Sequence, residues 1–226
     1  MKRLSYALAI FLSILFNACN DNTGSTADQN NSDSSNANKS TATDSGSTST
    51  SATSFDGIMN KMMQDMHSMT MTNDADHDFA MLMKRHHDGA IEMANVELSN
   101  GTNAELKQVA QKMVEDARKD NAELTDFLGK HKGSGNSDYA KRAMDIMMKG
   151  SSMKHTGNTD QQFAMGMAMH HQHGIDMSKE YLKSAKEEQT KKVANNTLRT
   201  NSEDLKVLKN WLRDNKSDTT TDHSGH

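Results

Sequence analysis

Two pairs of adjacent histidines, His86-His87 and His170-His171, stand 84 residues apart, and one helical turn before each pair lies a methionine, Met83 or Met167. A second methionine follows each pair, Met93 or Met177. Imidazole nitrogen and thioether sulfur at this spacing are metal donors, and the sulfur moves their preference towards copper(I) and the chemically similar silver(I). Zinc fits less well, because its usual ligands are cysteine, histidine and carboxylate. Helical-bundle di-iron sites carry Glu-x-x-His. No Glu-x-x-His occurs in this chain, and methionine stands where that carboxylate would be in both copies.

The segments that must position these donors are copies of each other. Residues 79–98 and 163–182 share nine of twenty positions without a gap, which marks an internal repeat. At about 100° per residue, Phe79, Met83, His86, Ala90, Met93 and Glu97 fall on one stripe, with His87 beside it. Phe163, Met167, His170, Gly174, Met177 and Tyr181 form the same stripe in the second copy, and Gly174 for Ala90 is a small-for-small change expected to leave the site intact. The histidines therefore belong to the face that must be buried. Each buried imidazole nitrogen without a partner costs about 1–3 kcal/mol, so four such rings require a metal, a haem or a hydrogen-bond network. Met81, Met165 and Met169 fall on the polar side, and with His173 they are further candidate ligands. So is the cluster Met59, Met62, Met63, Met66 and His67, which equally well forms the packing stripe of a short helix. Any single methionine is also explained as flexible core filler, Met113 being one example. No repeated carboxylate is legible next to the histidines.

The 226 residues contain no proline, and long stretches rich in Ala, Leu, Met, Glu, Lys and Gln favour helix. Hydrophobic spacing predicts helices over about 56–69, 74–99, 102–130, 137–148, 160–186 and 188–214. Thr102 with Glu105 reads as a capping box. The last predicted helix answers the third at the same offset of 84, with Val193 for Val109, Ala194 for Ala110, Leu208 for Leu124 and Leu212 for Leu128. The expected fold is all-α. It is a ferritin-like four-helix bundle made by duplication, with two shorter Met-rich helices laid against it.

Outside that domain, 55–216, the chain reads differently. Lys2 and Arg3 precede an apolar run from Leu4 to Phe16, too short to span a bilayer, and then Asn17-Ala18-Cys19. Residues 1–18 are expected to be a lipoprotein-type signal peptide, with Cys19 lipidated, so that the mature protein is exported and anchored in a bacterial cell envelope. Residues 19–54 are rich in Ser, Thr and Asn and read as a flexible tether; residues 217–226 read as a disordered tail containing His223 and His226. A single cysteine excludes a disulfide framework within the chain. The net charge of −4 argues against nucleic acid as the main partner.

On the element Phe79, Met83, His86-His87, Ala90-Ile91, Met93, repeated as Phe163, Met167, His170-His171, Gly174-Ile175, Met177, the chain resembles the ferritin-like domain-of-unknown-function family 305. Within that family the CopM-like periplasmic proteins are implicated in copper binding and resistance. The resemblance implies a copper-binding lipoprotein that buffers copper, confers tolerance or transfers the ion, with copper transporters or chaperones as exchange partners. The sequence leaves open a metal- or haem-dependent redox protein and a metal-free structural lipoprotein.

Overall fold

A computed structural model of the chain describes residues 54–149 and 155–215. The expected signal peptide, Cys19, nearly all of the tether and the C-terminal tail lie outside them. Six α-helices and no strand occur among the described residues: α1 (Phe55–Ser68), α2 (Ala75–Asn100), α3 (Ala104–Lys130), α4 (Tyr139–Met147), α5 (Thr159–Leu182) and α6 (Glu188–Asp214). None is long and apolar enough to cross a membrane. Helices α2 and α3 form one hairpin, α5 and α6 the other, and the hairpins pair α2 with α5 and α3 with α6. This is the expected bundle with two added helices. α4 is the counterpart of α1 at the same offset, but has 9 residues against 14.

The caps follow from residue chemistry. Ser54 accepts the amide of Gly57 at the start of α1, and Asn158 and Gln161 make a full capping box at α5. The cap of α3 is Asn103 rather than Thr102, because the Thr102 hydroxyl is already engaged by Asp160. The apolar stripe of α1 buries Phe55, Ile58, Met59, Met62 and Met66. Its Phe55 ring meets Phe163 of α5, and the equivalent Tyr139 of α4 meets Phe79 of α2. Each short helix thus reaches across to the other hairpin's histidine helix.

Two buried aspartates tie the hairpins together in the same reciprocal way. Asp160, in the first turn of α5, accepts the amides of Thr102 and Asn103 and the Thr102 hydroxyl. Asp76, its equivalent in α2, accepts the amides of Lys186 and Glu187 and the Tyr181 hydroxyl. α5 ends at Leu182, short of the predicted 186, and the following residues turn their amides towards Asp76. Glu97 occupies the place that Tyr181 takes in the other half. Neither of its carboxyl oxygens meets a donor, and burial first, then the facing Asp160 carboxyl, push Glu97 up to about 8. Protonated at neutral pH, Glu97 is itself the donor to Asp160.

A carboxyl raised from its ordinary 4.5 to about 8 binds its proton more tightly in the folded chain than in the unfolded one. Its contribution is fully present below about pH 4.5 and is lost as pH rises towards 8. Glu97→Gln keeps a donor but cannot ionise, so the variant should show a flatter decline in melting temperature between pH 5 and 8. Parallel melting curves for variant and wild type across that range would contradict this role for Glu97.

Candidate metal centre

His86 and His170 meet where α2 crosses α5. Their rings stack with centroids 3.6 Å apart, and both are fully buried. The Nε2 of His86 lies 3.1 Å from the carbonyl oxygen of His170, and the Nε2 of His170 lies 3.0 Å from that of His86. A carbonyl only accepts, so both rings carry their proton on Nε2. That leaves each Nδ1 with a bare lone pair, buried and without a partner. Burial drives both rings well below their ordinary pKa, with the neighbouring histidines adding to the effect, so they are neutral at pH 7. A metal-binding imidazole is in this state, its second nitrogen fixed by a carbonyl.

His87 and His171 flank the stack and, with residues of α3 and α6, line a narrow cavity of ≈ 30 Å³. Asp88 accepts from the Asn121 amide at 2.7 Å, which turns the Asn121 oxygen to His87 Nδ1 at 3.2 Å. The His87 proton thus sits on Nδ1, and its Nε2 lone pair is left. His171 has no hydrogen bond at either nitrogen, although only 3% of it is exposed; its Nε2 stands 3.8 Å from Asp204 Oδ2. Burial holds His87 down to about 4 and His171 to about 3. The opposite wall carries Asp120 and Asp204, again 84 positions apart. Burial raises both carboxyls, Asp204 to about 6, so it remains ionised at neutral pH. Among the described residues, no three His, Cys, Asp or Glu side chains are already close enough together to hold an ion, so an ion in this cavity requires side chains to turn.

These carboxylates correct the expectation that no repeated acid stands near the histidines. They lie on α3 and α6, remote in sequence from the His pairs, and only the offset of 84 links them. That register was legible in the apolar positions of the same helices.

The methionines distribute unevenly. Met83, Met93, Met167 and Met177 are fully buried in the apolar core and do not line the histidine cavity. The thioether on its wall is Met113 of α3, which the sequence reads as filler. Met59, Met62 and Met66 pack α1 onto the bundle, while Met63 and the exposed His67 border a shallow surface depression. Met81 is half-buried. Met165, Met169 and His173 come together on a separate cavity of ≈ 410 Å³.

Gly174 is less interchangeable with alanine than its size suggests. A Cβ there would run into the Asn201 amide and stand 3.0 Å from His86 Cε1. At the matching positions the first hairpin has Ala90 and Ala117, so a larger Asn201 is accommodated by a smaller Gly174. Gly174→Ala should destabilise the fold by about 1–3 kcal/mol. Adding Asn201→Ala should recover most of the loss, and denaturation of the four proteins in a double-mutant cycle measures the coupling. Strict additivity would contradict this packing.

Compared with curated proteins, the sequence has no significant match. Among solved structures, the chain is similar to CopM in the Ag-bound form, prepared by soaking, at 23% identity and a TM-score of 0.50, covering 62% of this chain and 96% of that one. CopM in the Cu(I)-bound form gives 22% identity and a TM-score of 0.48, covering 62% and 96%. A domain-of-unknown-function family 305 fragment from Deinococcus radiodurans gives 18% and 0.48, covering 62% and 96%. At these identities the likeness concerns the fold. The family model described as "Domain of unknown function (DUF305)" matches residues 23–128, 120–212 and 160–226, so that each hairpin is matched. With matches spanning most of its length, the chain belongs to the domain-of-unknown-function family 305.

Proposed function

We propose that this protein binds copper, as Cu(I) and also as Cu(II) or Ag(I), and buffers the ion or hands it on. The observation that carries this reading is the clustering, on α5 and where it crosses α2, of buried imidazole nitrogens without hydrogen bonds: Nδ1 of His86, His170 and His173, and both nitrogens of His171. Folded proteins rarely leave such atoms unmet, and neutral rings with free lone pairs are ready ligands at pH 7. Imidazole beside carboxylate, as at His87, His171, Asp120 and Asp204, suits Cu(II). Thioether beside imidazole suits Cu(I) and Ag(I). The fold shared with CopM, whose Ag-bound form has been solved, adds support at low identity. Met83, Met93, Met167 and Met177 are proposed as supporting soft donors only where a core side chain can turn towards the histidines.

His171 offers the cleanest test because it makes no native hydrogen bond. At a copper concentration of about a hundred times Kd, the melting temperature of the full chain should rise by roughly 5–10 °C. His171→Gln should lose a substantial part of that rise while melting near wild type without metal. No copper-induced shift in the wild-type protein, with either oxidation state, would overturn the reading.

We further propose that the protein works in the bacterial cell envelope, held by a lipid on Cys19, with residues 19–54 as the tether and copper transporters or chaperones as exchange partners. The support is the order of residues 2–19. Labelled palmitate should enter the wild type and not Cys19→Ser; equal labelling of both would contradict the anchor.

A further inference from the structure

Among the described residues, the cavity over the second histidine helix faces a surface that is covered in the first, although the hairpins are copies. On the first copy, Met62 of α1 sits over Gly89, where an added Cβ would meet its sulfur at 2.6 Å. Beside it Arg85 pairs with Asp65 of α1 at 2.8 Å and lies 3.4 Å from Glu92. In the second copy, Met81, Arg85 and Gly89 become Met165, Met169 and His173. α4, which answers α1, is the shorter helix and ends at Met147. Ile146 stands where Met62 does, and it lines the cavity instead of closing it. A charged, roofed surface has thus become a surface of soft donors that opens on a space of ≈ 410 Å³.

Met165, Met169 and His173 follow one another at intervals of four residues, on one face of α5. The rise from first to last is about 12 Å, too far for one ion to bind both ends. Met169 therefore belongs to two overlapping pairs, thioether–thioether with Met165 and thioether–imidazole with His173. His173 is 4% exposed, its Nε2–H donates to the Lys149 carbonyl at 2.7 Å, and its Nδ1 is left buried with no partner. Lys149, Lys209 and Asp176 are the charged residues on the wall. Long lysine stems let the ammonium groups stay in water, and a monovalent ion is repelled less by them than a divalent one.

We infer that Met165, Met169 and His173 form a loading site for a soft monovalent cation, Cu(I) or Ag(I), separate from the cavity around His171. The inference rests on the copper-binding reading and deepens it by assigning where the monovalent ion is taken up. The ion enters at the half-buried pair Met165 and Met169 and passes to Met169 and the buried His173.

The test is a titration of the full chain, labelled with 13C at the methionine methyls, with silver nitrate followed by NMR. Met165→Leu and Met169→Leu identify two of the resonances and preserve apolar volume. The Met165 and Met169 methyls should shift within the first equivalent, and the double variant should bind that equivalent at least about tenfold more weakly against a competing chelator. Silver binding with both methyls unmoved, or undiminished in the double variant, overturns the site and leaves the general reading intact. Failure of the wild type to bind Ag(I) or Cu(I) at all overturns both. Zn(II) shifting the same methyls with equal affinity overturns the assignment to a soft monovalent ion.

Discussion

The exchange between His86 and His170 is the contact on which the rest depends. Each ring donates to the other's backbone carbonyl across the α2–α5 crossing, at 3.1 and 3.0 Å, and the two rings stack. Two hydrogen bonds of this kind are worth about 0.5–1.5 kcal/mol each. Their larger consequence is chemical, because they fix where each ring's proton sits. With the proton held on Nε2, the core keeps two bare Nδ1 atoms without a hydrogen-bond partner.

Around that contact the chain uses its repeat twice over, once for symmetry and once for divergence. The symmetric devices hold the bundle: Asp76 and Asp160 each cap the other hairpin, and Phe55 and Tyr139 each reach across to it. The differences fall at the places where chemistry is expected. Gly174 with Asn201 replaces two alanines beside His86, Glu97 replaces a tyrosine as donor, and Ile146 of the shorter α4 lines the cavity at Met165, Met169 and His173. The α2 face at Arg85 and Gly89 is covered and ion-paired, and the matching α5 face offers sulfur and nitrogen.

The bundle and its boundaries were legible because propensity, apolar period and repeat all pointed the same way, as consistent sequences do. The six helices fall within a few residues of expectation. Burial of both His pairs was legible too, since the helical wheel places them on the apolar stripe. Partner choice across helices was not. A wheel says which face is buried but not which side chains meet there, so Asp120 and Asp204 do not stand out in the sequence and Met113 reads as filler. Capping of α3 by Asn103 rather than Thr102 has the same origin, because the competing acceptor, Asp160, is 58 residues away. The near identity of Ala90 and Gly174 concealed a packing constraint that depends on Asn201.

The role proposed for this fold is to keep imidazole nitrogen and thioether sulfur in reserve for copper. Copper K-edge X-ray absorption of the untagged full chain, loaded with Cu(I) and desalted, tests it most directly. The account predicts retained copper with both sulfur and imidazole nitrogen in its first shell. Copper lost on desalting, or retained with no sulfur scatterer, would contradict it.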